Sequence, residues 1–175
     1  MDKQDINKDN RYDIRYFQEN DQENLKRLLM QPEMQKWFPL SSEEDVDIFI
    51  KNLVNFSKYK CALTAVFDGV PVGYGCIFLL PYKKVAIHAT AYLLVDPAFQ
   101  KRGVGTSLLR NLVHLSLKFE IVEKIQCEIY EGCSLLSILE KLSFKKVFMQ
   151  NGFVRFSNDE TRARVVFERS NRIEV

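Results

Sequence analysis

The sequence predicts a mixed α/β domain, and three observations carry that prediction. Runs of strand-like patterning alternate with runs of helical spacing in the order β-α-α-β-β-β-α-β-α-β-β. Asp68-Gly69, between the apolar runs CALTAVF and VPVGYGCIFLL, is a hairpin turn signal. An amphipathic run after Gly103 joins two strand-like runs, the pattern of a right-handed crossover between parallel neighbours.

Taken in order, residues 1–10 read as a disordered arm with only Met1 and Ile6 apolar, which leaves 11–175 as one domain. Tyr12 to Phe17 alternates weakly and reads as a first strand. Leu25, Leu28 and Leu29 give the next run helical spacing, with Asp21 as its expected N-cap. Beyond Pro32, Ser41 and Glu44 have the spacing of a capping box, ahead of an apolar stripe of Val46, Phe49, Ile50 and Leu53. The hairpin and a long third run, VAIHATAYLLV, follow. The helix after the glycine segment is expected to reach about Phe119, burying Leu108, Leu112, Leu115 and Phe119. KIQCEIY reads as a strand and SLLSILEKL as a short helix. FKKVFMQ and RARVVFE read as two paired strands.

Composition removes several function classes. The chain of 175 residues is 46% hydrophobic and 12% aromatic, enough for a core without staples. Its net charge of +2 lacks the basic excess of a nucleic-acid binder. Cys61, Cys76, Cys127 and Cys133 form no CxxC pair and read as reduced thiols, neither a disulfide framework nor a metal site. The polar start MDKQDINKDN is unlike a signal peptide, and no apolar run approaches the roughly 18 residues of a membrane span. The expectation is a cytoplasmic protein.

The stretch YLLVDPAFQKRGVGTSLL carries the functional signal. A strand ends at Val95, Asp96-Pro97 turns the chain, and a helix opens near Gly103. The first turn of a helix has N–H groups without partners, and its dipole makes that end electropositive. Glycines at 103 and 105 let a bulky anion approach the main chain, and Lys101 and Arg102 add charge. Together these groups would hold a pyrophosphate. The third glycine of a dinucleotide fingerprint and the Gly-Lys-Ser/Thr of a Walker loop are both missing. On glycines alone, a loop that binds nothing stays open as a reading.

QKRGVG, with Val-Asp-Pro before it and an amphipathic helix after, resembles the Gln/Arg-x-x-Gly-x-Gly/Ala signature of the GNAT acyl-CoA N-acyltransferases. SILEKLSF is similar to that family's short-helix ending, and NLKRLLMQPEMQKWFP is similar to the first helices of its ribosomal-protein N-terminal acetyltransferase branch. The resemblance spans most of residues 12–168. It implies a mostly antiparallel sheet with one splayed parallel strand pair and flanking helices. It also implies acetyl-CoA as co-substrate, with no metal. The pyrophosphate would lie on the main chain of Lys101, Arg102, Gly103, Val104, Gly105 and Thr106, with Gln100 opening the loop. The pantetheine would lie along Leu93, Leu94 and Val95, with Lys124 to Tyr130 across the gap.

The chain departs from the family at Gly132, where an Asn is common, at Leu139, in place of the Tyr that usually protonates the leaving thiolate, and at Ser143, in place of Gly. Ser134, Cys133 and Tyr130 are the nearby alternatives as donor. Glu128 is the candidate general base, with an ion-paired strand carboxylate as its plainer reading. His88 reads as a buried, hydrogen-bonded histidine and His114 as solvated. Trp37 and Phe38 read equally as acceptor-pocket walls or as core. An α-amine, with pKa roughly 8, needs less help from a base than a lysine near 10.4, so weak acid–base machinery favours an α-amine. The implied reaction is acetyl transfer to a primary amine, on a peptide or small molecule, by direct attack in a ternary complex. The alternatives are a CoA-binding module without turnover and a small interaction domain without nucleotide. Monomer and homodimer both remain open.

Overall fold

The computed structural model describes residues 12–156 and 159–171, so the arm expected over residues 1–10 lies outside the described residues. The strands are β1 (Tyr12–Tyr16), β2 (Ala62–Phe67), β3 (Val70–Leu79), β4 (His88–Val95), β5 (Lys124–Tyr130), β6 (Lys145–Arg155) and β7 (Thr161–Ser170). The helices are α1 (Gln22–Leu29), α2 (Pro32–Gln35), α3 (Glu43–Ser57), α4 (Val104–Ser116) and α5 (Leu136–Lys141). One seven-stranded sheet runs β1-β2-β3-β4-β5-β7-β6. Neighbours are antiparallel except β4 and β5, which α4 joins as a parallel pair. The GNAT-like architecture expected above is the one found.

Local chemistry explains the elements. Asp68 and Gly69 both take left-handed φ, at 46° and 83°, as a two-residue hairpin whose turn follows the strand twist requires. Leu108, Leu109 and Leu112 of α4 are fully buried on the sheet. Each contributes roughly 1.5–3 kcal/mol relative to exposure. The helix comes this close because Gly75 lies under it, where an added Cβ would stand 2.8 Å from Leu112 Cδ1. On the opposite face, α1, α2 and α3 bury Leu25, Leu28, Leu29, Met34, Val46, Ile50 and Leu53 against Ala62, Tyr74, Cys76 and Leu94.

Four sequence expectations shift. The cap of α3 is Ser42, whose Oγ accepts from Asp45 N at 3.1 Å while Asp45 accepts in return from Ser42 N at 3.0 Å. The box therefore sits one residue beyond Ser41 and Glu44. Asp21 precedes α1 but gives it no side-chain cap. It is buried instead, accepting from both terminal nitrogens of Arg15 at 2.7 Å, from Thr64 Oγ1 at 2.8 Å and from Gln18 N at 2.9 Å. Burial opposes its ionisation, and those donors, Arg15 first, more than offset the penalty, so its pKa is lowered. β4 begins at His88, not at Val85, because 82–87 form turns closed by Val85 N and Ala86 N donating to Tyr82 O. α4 stops at Ser116, whose hydroxyl donates back to Val113 O at 2.7 Å. Ser143 keeps the left-handed backbone of the glycine it resembles, with φ 63°.

Candidate active site

The parallel pair is joined only from His88↔Lys124 to Ala91↔Cys127. Beyond those four residue pairs β4 runs on to Val95 and β5 to Tyr130 without touching, while each keeps its other neighbour: Val95 pairs with Gly73, and Tyr130 with Arg164. Each strand thus turns one unpaired edge to a wedge-shaped gap. A cavity of about 480 Å³ fills the gap, bounded by Ala91 to Val95 on one side and Glu128 to Tyr130 on the other.

At one end the cavity meets the glycine segment. Asp96 Oδ1 accepts from Ala98 N at 2.9 Å, which closes the Asp-Pro turn, and Gln100 Nε2 donates to Val95 O at 3.2 Å, which ties the loop to the strand. Gly103 is the N-cap of α4 with φ 86°, a conformation glycine adopts without steric cost. Ser107 N is the N–H that first bonds back into the helix, to Gly103 O at 3.0 Å. The N–H groups before it form the electropositive end of a 13-residue helix. A Cβ on Gly105 would stand 3.1 Å from Ile138 Cδ1 and 3.6 Å from Val95 Cγ2, so the glycine keeps that corner open.

At the other end Met34, Trp37, Phe38 and Pro39 from the α2 region form an apolar wall facing Glu128 and Tyr130. Glu128 is half-buried, and desolvation raises its pKa, with Arg164 pulling the other way. Arg164 NH1 stands 3.5 Å from Glu128 Oε2. Tyr92 and Tyr130 face the same carboxylate. Burial and then its charge push Tyr92 up to about 12 and raise Tyr130 too. Both phenols are therefore protonated donors at neutral pH.

The family description "Acetyltransferase (GNAT) family" matches residues 23–135. The chain belongs to the GNAT acetyltransferase family. No curated protein sequence matches it. Its fold is similar to that of a ribosomal-protein-alanine N-acetyltransferase from Brucella melitensis, at 15% identity and TM-score 0.76 over 90% of this chain and 98% of that one. A ribosomal-protein-S5-alanine acetyltransferase from Vibrio fischeri superposes at 14% identity and TM-score 0.70, covering 92% and 93%. A phosphinothricin acetyltransferase from Sinorhizobium meliloti, solved in complex with AcCoA, gives 13% and 0.74, covering 91% and 88%.

Of the residues singled out in this GNAT chain, Leu93, Leu94, Val95, Gln100, Lys101, Gly103, Gly105, Thr106, Glu128 and Ser134 line the one cavity. Val104 is buried in the core beneath it, and Arg102 stands with its guanidinium 5.4 Å from the Phe99 ring centre, outside the lining. Tyr130 and Cys133 also line the cavity, so all three alternative donors face it. Leu139 is fully buried in the core; Leu135, Ser137, Ile138 and Lys141 are the nearby lining residues. Trp37 and Phe38 both line the cavity, and Phe38 also packs into the core, so both readings of it hold. His88 is not buried: its side chain is 36% exposed, with Nδ1 3.5 Å from Glu168. All four cysteines are free, and among the described residues no cluster of His, Cys, Asp or Glu could hold a metal. Among them too, no helix is long and apolar enough to cross a membrane.

The sequence reading missed Arg164. Its relation to Glu128 arises only through the β5–β7 register, in which Glu128 pairs with Val166 and Tyr130 with Arg164. No local spacing announces a partner 36 residues away.

Proposed function

We propose that the chain transfers the acetyl group of acetyl-CoA to a primary amine by direct attack within a ternary complex. The observation that carries this reading is one continuous cavity. It runs from the N-terminus of α4, past the unpaired edge at Leu93 to Val95, to a carboxylate at the far end. The residues fit the co-substrate: bare N–H groups at 104–106 and Lys101 suit a pyrophosphate, and an unpaired strand edge suits the amide groups of pantetheine.

In this reading a main-chain N–H near Val95 polarises the thioester carbonyl. Glu128 takes a proton from the incoming ammonium, directly or through a water. The amine nitrogen bonds to the acetyl carbon as the carbon–sulfur bond breaks. The thiolate leaves and takes a proton from Ser134, Tyr130 or Cys133, and the new amide nitrogen sheds its second proton, which restores that donor. Burial keeps Tyr130 and Cys133 protonated, which suits the role. The apolar wall at Trp37 and Phe38 suits an acceptor that brings little charge beside its amine. An α-amine of a peptide or a small molecule meets that condition, and the ribosomal-protein N-acetyltransferases among the structural neighbours act on such groups in proteins. The setting we propose is the cytoplasm, with residues 11–175 as one domain, a monomer or homodimer.

The test is thiol release from acetyl-CoA with a panel of peptides bearing free or blocked N-termini and of small primary amines. Glu128→Gln should keep acetyl-CoA affinity and lower kcat/KM about 10²-fold or more at neutral pH. The loss should shrink as pH approaches the amine's own pKa, where solvent supplies the neutral nucleophile. Wild-type rates across the pH range would make the carboxylate structural. Leu139 favours a second reading, a CoA-binding module without turnover, because no hydroxyl stands where the family carries its Tyr. Binding of acetyl-CoA with no release on any amine would select it.

A further inference from the structure

Glu128 and Asp21 are both partly or wholly buried carboxylates beside an arginine, yet their pKa values shift in opposite directions. Asp21 is lowered and Glu128 is raised. Geometry accounts for the difference. Arg15 grips Asp21 with two nitrogens at 2.7 Å each. Arg164 meets Glu128 through a single contact of 3.5 Å, at the weak limit of a hydrogen bond. A bidentate grip stabilises the anion so far that it loses its basicity.

What keeps Arg164 at that distance is not Glu128. Its guanidinium lies 4.6 Å from the ring centre of Phe153 and 5.7 Å from that of Phe148. Both rings belong to β6, next to β7 in the sheet. Arg164 Nε is buried with no hydrogen-bond partner among the described residues, so no bond at that atom fixes the side chain. Arg164 also stays out of the cavity lining, whereas Glu128 is in it. The order is therefore substrate space, carboxylate, guanidinium, aromatic shelf.

We infer that Arg164 is a positioning residue for Glu128: held on the Phe148–Phe153 shelf, it orients the carboxylate toward the cavity and keeps it ionised without gripping it. This rests on the reading of Glu128 as the base. It assigns work to the edge strand β6, which contributes no residue to the cavity lining. The charged and titratable groups that face the carboxylate are Arg164 from β7, Tyr92 from β4 and Tyr130 on β5. The α2 wall brings only Met34, Trp37, Phe38 and Pro39, and Lys101 and Lys141 line the cavity from α4's loop and α5. Arg164 is the nearest cation to the carboxylate, at 3.5 Å.

The test follows the Glu128 carboxyl by 13C NMR in protein labelled at glutamate, assigned by its loss in Glu128→Gln. No acceptor is needed. At the wild-type midpoint the ratio of ionised to protonated Glu128 should fall about tenfold in Arg164→Gln, the scale for losing an opposite charge at such range. Arg164→Lys should restore part of it, and Phe153→Leu should move it the same way by less. On the best amine of the panel, the acidic limb of kcat/KM should move to higher pH in Arg164→Gln, with the KM for acetyl-CoA unchanged. An unmoved carboxyl titration in Arg164→Gln overturns the inference, even if Glu128→Gln has abolished activity. Should Arg164→Gln fail to fold, Phe153→Leu decides, and an unmoved titration there overturns it equally. If instead Glu128→Gln keeps wild-type rates while the titration moves, the base assignment fails and with it the positioning role, leaving only a field effect.

Discussion

Gly105→Ala separates the co-substrate site from the fold. Gly105 is the second residue of α4 and, unlike Gly103, has no left-handed backbone. Alanine there gains up to about 1 kcal/mol in helix propensity. Against that, the new Cβ meets Ile138 Cδ1 at 3.1 Å, the end of a flexible side chain that yields by a few tenths of an ångström. The two effects nearly cancel, so Tm should stay within about 4 °C of wild type. Binding should not escape so lightly. The methyl enters the corner between Val95 and Ile138 and displaces an anion from the N–H groups. Losing one charge-assisted hydrogen bond costs about 1.5–3 kcal/mol, or roughly tenfold to a hundredfold in Kd for acetyl-CoA. Gly103→Ala is the converse control. Its Cβ would meet only Tyr12 Oη at 3.5 Å, but φ of 86° costs alanine about 1–2 kcal/mol, so Tm should fall about 2–8 °C. Isothermal titration with acetyl-CoA and thermal denaturation read the two quantities separately. Wild-type affinity in a folded Gly105→Ala protein would refute the phosphate site.

Two further outcomes follow from buried side chains. Asp21→Asn breaks the pairing with Arg15, which is itself 31% exposed, and should cost about 2 kcal/mol, or roughly 4–8 °C in Tm. Because the folded pKa of Asp21 is lowered, its contribution is fully present above about pH 4 and is lost as pH falls through the folded value; wild type and Asp21→Asn should therefore converge in stability on acidification, measured by denaturant unfolding. Leu139→Tyr adds bulk to a fully buried site and should cost about 1–3 kcal/mol by over-packing, as should Leu139→Phe. Equal turnover in the two variants is expected, with proton donation to the thiolate arising at the cavity-lining residues; faster turnover in Leu139→Tyr alone would return that role to position 139.

Most strand positions were legible because the apolar runs and the Asp68-Gly69 turn are local signals. The α3 cap was displaced by one residue because Ser41 and Ser42 offer the same chemistry, and only the helix axis decides between them. Asp21 was misread because its main partner, Arg15, lies back on β1 and its other side-chain partner, Thr64, lies 43 residues on, and only the folded sheet brings the two together. The glycine segment was legible for the opposite reason. Its geometry depends on φ at Gly103, the turn at Asp96-Pro97 and the helix that follows, all within about ten residues. The carboxylate end depends on three strands meeting in register, so Glu128 could be nominated from its strand, while Arg164, Phe148 and Phe153 could not.

The short pairing between β4 and β5 has a mechanical consequence. Strands β1 to β4 form one panel and β5 to β7 another, and the seam between them is four residue pairs at one end, with α4 packed on the β2, β3 and β4 side of it. A molecule lying in the opening would reach both panels where the seam has no stitches of its own. Such a molecule would bear on the panel that ends at Val95 and on the panel that carries Glu128 together, so in the acetyl-transfer reading the co-substrate itself would bridge the two halves of the sheet.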